Sequence, residues 1–161
     1  MIQAITETAF KGYIQTEDNR IDTSVPSSQI QYLFKFTNDM DKSVSYAYAN
    51  SPTIYDRFTV MVFAYNASPD LYDGEVKLLP SGYWKYEVYE VSWQASSYTI
   101  RVGFAPANEN DVLDPAADNK GVVQGLVTKG KLYLADKDGT AQVRYTQRQE
   151  PTGTNYIYYG Q

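Results

Sequence analysis

The chain is 161 residues long, carries a formal net charge of −5, and contains no Cys and no His. This composition excludes disulfides, Cys/His zinc sites, cysteine nucleophiles and catalytic triads built on imidazole. The acidic balance argues against direct binding to nucleic acid, because such proteins use Lys and Arg to displace phosphate counterions. Tyr dominates the aromatic residues, with 16 copies against 6 Phe and 2 Trp, and suits half-buried sheet faces and wet interfaces.

Residues 1–29 are expected to form an N-terminal arm or edge segment. Ile2, Ala4 and Thr6 alternate weakly, and the stretch around Pro26 is polar and rich in turn formers. The N-terminus lacks the charged and apolar regions of a secretory signal. No apolar run approaches the ~20 residues that span a bilayer. We therefore expect a soluble protein without a membrane partner, and the missing disulfides fit assembly in a reducing cytoplasm.

The next segments alternate with the period of β-strands. In IQYLFKFTND, the side chains of Ile30, Tyr32, Phe34 and Phe36 are predicted to share one face. SVSYAYAN is expected to pair back on this strand as a hairpin through the NDMDK turn, and SPTIYDR to be a connection. FTVMVFAYN is apolar at both alternating positions, so we expect a central strand that is covered on both faces.

EVKLLP is a further predicted strand, and SGYWKYEVYEVSW is the most regular one. Trp84, Tyr86 and Val88 are expected on its core face, and its alternation specifies the register, since a slip of one residue would exchange the two faces. Trp93 lies beyond the regular alternation. We therefore expect its ring to be exposed and name it as a candidate interface residue.

The last third of the chain continues the series of short strands. SYTIRVGFA predicts one strand, residues 106–121 a long surface loop, and VVQGLVTKGKLYLAD and TAQVRYTQ two more strands joined by an Asp-Gly turn. No segment shows a convincing helical period. The sequence therefore predicts an all-β fold in residues 30–161: a single antiparallel β-sandwich or partly open barrel, Ig-like or jelly-roll-like.

The C-terminal segment, residues 154–161, is expected to be an aromatic strand. Its residues place aromatic or apolar groups on both faces, although chain ends usually fray unless they are held. We expect this strand either to pair within the sheet or to add to the sheet edge of a neighbouring subunit. The candidate interface residues in it are Tyr156, Ile157, Tyr158 and Tyr159.

Carboxylates do not form a convincing catalytic site. Glycoside hydrolysis needs two carboxylates across a cleft, whereas Glu87 and Glu90 are oddly spaced on one strand and are expected to face opposite sides. We therefore expect no enzymatic activity and no cofactor.

Calcium is the one metal whose oxygen ligands are plentiful. The loop residues that could supply such ligands lack EF-hand spacing, and Asp and Asn are common turn formers, so solvated turns are favoured and no metal site is predicted. These residues are Asn108, Asp111, Asp114, Asp118, Asp136 and Asp138.

Four blocks of the chain resemble a family of small β-rich structural proteins from tailed bacteriophages that infect Bacteroidetes, including crAss-like phages. The blocks are Tyr32 to Asn38, Tyr55 to Phe58, Gly82 to Glu90 and Val122 to Val127. The resemblance implies a non-enzymatic virion component that is assembled in the host cytoplasm. It would be head-associated, as a capsid auxiliary or decoration protein, or part of the neck or tail. Its partners would be other virion proteins, with a homo-oligomer as a further option.

A carbohydrate-binding module is the alternative hypothesis. Sandwich domains of this kind stack sugar rings on exposed aromatic side chains, and Trp93 with exposed Tyr rings would serve that purpose here. Cross-strand aromatic pairing within a sheet explains the same sequence pattern, so the structural interpretation is favoured.

Overall fold

The protein is a β-sandwich, as the sequence predicts. The computed structural model describes residues 1–94, 98–116 and 119–139. Within these ranges there are two short 3-10 helices, Glu17–Asn19 and Ser27–Gln29, and no α-helix. The strands are β1 (Ile2–Ile5), β2 (Phe10–Ile14), β3 (Ile30–Asn38), β4 (Val44–Tyr48), β5 (Asn50–Ile54), β6 (Thr59–Tyr65), β7 (Glu75–Val76), β8 (Gly82–Ser92) and β9 (Val122–Ala135).

The strands form two sheets. The main sheet has the order β1-β9-β8-β3-β4, and the second sheet has the order β2-β6-β5 with the short β7 also paired to β6. Both sheets are mixed, whereas the sequence predicted an antiparallel sandwich, because β1 pairs parallel with β9 and β7 parallel with β6. β1 and β9 lie at opposite ends of the described chain and are not joined by a hairpin, so their connection does not impose an antiparallel arrangement on that pair.

Aromatic rings from both sheets meet in the core between them. Phe63 of β6 lies at ring-centroid distances of 4.8 Å from Phe34, 5.5 Å from Phe36 and 5.2 Å from Phe10. Such pairs contribute about 0.5–1.5 kcal/mol each beyond the burial of their area. The predicted inner faces of β3 and β8 are confirmed: Ile30, Tyr32, Phe34, Phe36, Trp84, Tyr86 and Val88 all belong to this core.

The outer face of the main sheet, which is turned away from the second sheet, is also partly covered. Leu33, Tyr48, Val91 and Trp93 form a second apolar cluster there with Ala105. Residues 98–116 fold back over this face as irregular chain instead of adding a strand. The middle of the main sheet is therefore covered on both sides.

The N-terminal residues are part of the sandwich. β1 is an edge strand of the main sheet and β2 an edge strand of the second sheet. Their inward residues Ile2, Ala4, Phe10 and Ile14 are buried in the shared core. The strands within residues 2–14 thus lie at the sheet edges and contribute to the interior.

Three segments differ from the sequence expectation. β5 occupies most of the stretch predicted as a connection; it is an edge strand, where Pro52 is tolerated because no partner needs its missing N–H. The described part of SYTIRVGFA forms turns, since the N–H groups of Phe104 and Ala105 both donate to the Arg101 carbonyl. In EVKLLP only β7 is a strand.

β6 is central in its sheet, as predicted, but it is not covered on both faces. Thr59, Met61 and Phe63 are buried, whereas Val60 and Val62 are half-buried and Ala64 is exposed. Among the described residues, no helix is long and apolar enough to cross a lipid bilayer.

Candidate functional site

An exposed group of aromatic rings in mutual contact lies on the second sheet. Tyr13, Tyr55 and Phe58, here called the aromatic patch, are 63%, 51% and 40% exposed. The Phe58 ring lies 4.9 Å from the Tyr55 ring in a stacked arrangement and 5.9 Å from the Tyr13 ring in a tilted one. The rings therefore contact one another, and each still exposes 40% or more of its residue surface to solvent.

Local structure explains this placement. β2 alternates buried and exposed residues, so Tyr13 points outward while Gly12 and Ile14 point to the core. Tyr13 is paired in register with Val60, and Phe58, two residues before Val60, lies on the same side of the sheet. The Tyr55 N–H donates to the Phe58 carbonyl at 2.9 Å and closes the tight turn between β5 and β6. This turn places the Tyr55 ring on Phe58.

The patch has the composition of a protein interface. Aromatic residues are enriched at the centres of interfaces, where their rings bury large areas at low entropic cost. Ile54, which is 43% exposed, is adjacent to Tyr55 in the chain. Tyr13 lies in β2 and Tyr55 directly follows β5, and both of these strands are edge strands of the second sheet. Edge strands offer unpaired backbone groups to a partner. The arrangement can bury an apolar surface of another molecule.

Trp93 is buried, and the expectation of an exposed ring there is wrong. The residue is 1% exposed and packs in the outer-face cluster, with its ring 5.3 Å from the ring of Tyr98. A Cβ atom on Gly121 would lie 2.7 Å from the Trp93 ring, so the chain after the long loop passes directly against the indole. Trp93 loses its exposure because residues 98–116 fold back over the sheet and Gly121 lies against the indole.

The other candidate interface residues, Tyr156, Ile157, Tyr158 and Tyr159, lie outside the described residues, as do the predicted strands TAQVRYTQ and TNYIYYGQ. Their assignment to an internal strand or to a neighbouring subunit stays a prediction.

The two carboxylates considered for catalysis lie on opposite faces of the main sheet, as their spacing predicts. Glu90 is completely buried and accepts hydrogen bonds from the backbone N–H groups of Ile21 at 2.9 Å and Asp22 at 2.7 Å. Glu87 lies on the outer face, 3.8 Å from the Lys35 ammonium group. Glu90 therefore holds the β2–β3 connection, residues 15–29, against the sheet.

The Asp and Asn side chains considered as calcium ligands form turns with their own backbone. Asn108 accepts from the N–H of Asn110 at 2.9 Å, and Asp114 accepts from the N–H of Ala116 at 2.9 Å. Asp136 accepts from the N–H of Asp138 at 3.1 Å, and Asp111 from that of Ala107 at 3.0 Å. Asp118 lies outside the described residues. In the described ranges, no group of three or more acidic side chains is placed to hold a metal ion.

A half-buried charge cluster, which the sequence did not indicate, fixes the long loop on the outer face. Glu109, from the loop, pairs with Lys35 and accepts a hydrogen bond from the Tyr46 hydroxyl at 2.5 Å. Burial and the neighbouring Glu109 carboxylate raise the pKa of Tyr46 to about 12. Burial alone would raise the pKa of Glu109, but the hydrogen bonds from Lys35 and Tyr46 outweigh it and lower this pKa. These partners are more than 60 residues apart in sequence, so no local pattern reveals them.

Comparison of the chain with protein-family models, with curated proteins and with solved structures finds no significant match.

Proposed function

We propose that the chain is a non-enzymatic structural component of a bacteriophage virion and that it acts through contacts with neighbouring subunits. Its place would be on the head, as a capsid auxiliary or decoration protein, or at the neck or tail. Its partners would be other virion proteins, with self-association as a further contact. The resemblance of four sequence blocks to phage structural proteins motivates the virion context.

The aromatic patch is the observation that supports the mode of action. Monomeric proteins rarely leave large contiguous apolar groups exposed without an interaction role. The Phe58 ring contacts the rings of both Tyr13 and Tyr55, so the three rings are already ordered before a partner arrives, which lowers the entropic cost of binding. The net charge of −5 also fits a position away from the packaged genome, because acidic surfaces repel phosphate.

Incorporation into particles tests this proposal. A tagged chain is expressed in host cells during infection, particles are purified by density gradient, and the tag is quantified by mass spectrometry. The Tyr13→Ser/Phe58→Ser double variant removes the two rings that contact each other across the strands. Truncating central aromatic residues of an interface typically costs about 2 kcal/mol or more, a factor of roughly 30 in affinity. We therefore expect the double variant to be largely lost from particles.

Tyr83→Ser is the matched control. Tyr83 is 55% exposed and also contacts another aromatic ring, that of Tyr133 at 5.1 Å, but it lies on the main sheet. This variant should be incorporated like the original chain. Absence of the original chain from purified particles would contradict the virion role. Equal incorporation of the double variant and the control would contradict the assignment of the patch as the contact surface.

A further inference from the structure

A cavity of about 470 Å³ lies on the outer-face side of the main sheet. Its volume falls within the range of about 300–1,000 Å³ that is typical of small-molecule sites. Residues from β3, from the β4–β5 junction, from the loop before β7 and from the segment after β8 meet around it. Those that carry the inference are Gln31, Tyr72, Asp73, Tyr98 and Ile100.

The Gln31 side chain is the first sign that this cavity takes a ligand. Gln31 is only 3% exposed, and its Oε1 atom is buried without a hydrogen-bond partner among the described residues. Buried amide oxygens in folded proteins nearly always accept a hydrogen bond, because losing water without replacement is unfavourable. A buried, unpaired amide oxygen in a cavity wall is explained when a bound molecule supplies the donor.

Two tyrosine rings are held in the cavity wall by neighbouring rings. Tyr72 stacks on Tyr48 with the centroids 6.1 Å apart and the planes at 19°. Tyr98 lies against Trp93 at 5.3 Å and remains 37% exposed. Such fixed rings offer apolar faces together with hydroxyl groups, so the wall suits a ligand with both C–H and O–H surfaces.

The charges around the cavity further restrict the chemical class of ligand that it can bind. Asp73 brings a carboxylate, and among the described lining residues there is no Lys or Arg. Phosphate, sulfate or carboxylate groups would therefore be repelled. The Gln31 amide carries both donor and acceptor groups, which match hydroxyl groups, while Ile100 contributes apolar surface.

We propose that this cavity binds a neutral sugar ring. The Tyr98 ring covers the C–H face of the sugar, and the hydroxyl groups of the sugar form hydrogen bonds with the Gln31 amide and the Asp73 carboxylate. The site differs from the one that the sequence suggested for carbohydrate, since Trp93 lies beneath it as a support for Tyr98. This proposal does not depend on the virion role, so an experiment that contradicts one of the two proposals leaves the other intact.

Saturation-transfer NMR on the full chain tests the site. The probes are the methyl glycosides of glucose, galactose, mannose, fucose and N-acetylglucosamine, with choline as a cationic probe and inorganic phosphate as an anionic one. We expect saturation transfer to at least one glycoside with affinity in the millimolar range, and none to choline. The ¹⁵N resonance of the Gln31 side-chain amide should shift during titration with that glycoside, and phosphate should leave it unchanged.

Two variants of lining residues and one control variant test whether the glycoside binds in this cavity. Tyr98→Ala should weaken the binding of that glycoside by roughly three- to tenfold, the size of one lost ring contact. Asp73→Ala, at an exposed position where the fold tolerates change, should weaken it as well, whereas Tyr83→Ala should leave it unchanged. The proposal is overturned if no glycoside in the panel binds, if choline or phosphate binds instead, or if binding survives both lining variants.

Discussion

Glu90 offers a sharp test of how the sandwich is held together, because it is a completely buried carboxylate with two backbone partners. In Glu90→Gln the side chain keeps its shape but loses its charge and one of its two acceptor oxygens. One of the N–H groups of Ile21 and Asp22 then faces an NH₂ group instead of an oxygen. A hydrogen bond to a charged group contributes about 1.5–3 kcal/mol, and a buried donor without a partner costs about 1–3 kcal/mol. We expect Glu90→Gln to lower the free energy of unfolding by about 2–4 kcal/mol.

The matched control is Glu87→Gln, three residues earlier on the same strand. Glu87 is partly exposed and pairs with Lys35 at 3.8 Å, and exposed ion pairs contribute about 0–1 kcal/mol. Urea unfolding followed by Trp fluorescence measures both variants, since Trp84 and Trp93 are both 1% exposed in the folded chain. The m value should stay unchanged. Equal stability of the two variants would refute the role of Glu90 as the anchor of the β2–β3 connection.

Two further predictions concern the chain that covers the outer face. The pKa of Glu109 is lowered from its ordinary value of 4.5, so its contribution to stability is present above that value and is lost as the pH falls through the folded-state pKa. The free energy of unfolding, measured in urea between about pH 6 and pH 3, should therefore fall less steeply with decreasing pH in Glu109→Gln than in the original chain. Equal slopes for the two chains would contradict a stabilising role of the Glu109 carboxylate. Gly121→Ala places a Cβ 2.7 Å from the Trp93 ring. This substitution should lower the free energy of unfolding by about 1–3 kcal/mol in the same assay. An unchanged urea midpoint would mean that Gly121 is not in tight contact with the Trp93 ring.

The local alternation of residues predicted much of the fold. β3, β8 and the β3–β4 hairpin follow directly from a period of two, and the burial of Phe34 and Trp84 follows from which face each residue occupies. These features depend on neighbours that are close in the chain or directly opposite in a strand pair. The sequence carries that information locally.

The missed features depend on contacts between distant segments. Trp93 is buried because residues 98–116 return over the sheet, and Glu109 meets Lys35 across 74 positions. The parallel pairing of β1 with β9 joins the first strand of the chain to a strand more than 100 residues later. The aromatic patch combines residues from β2 and from the β5–β6 turn, which no spacing rule brings together. The predicted C-terminal interface residues await a direct test.

Hydroxyl-radical footprinting of free chain and purified particles tests the proposed contact surface most directly. The method measures the oxidation of individual side chains, and aromatic rings react readily when solvent reaches them. In the free chain Tyr13, Tyr55, Phe58 and Tyr83 should all be oxidised, since each is at least 40% exposed. In particles the aromatic patch should be strongly protected while Tyr83 stays reactive. Oxidation of the patch to the same extent in particles as in the free chain would contradict its role as the subunit contact.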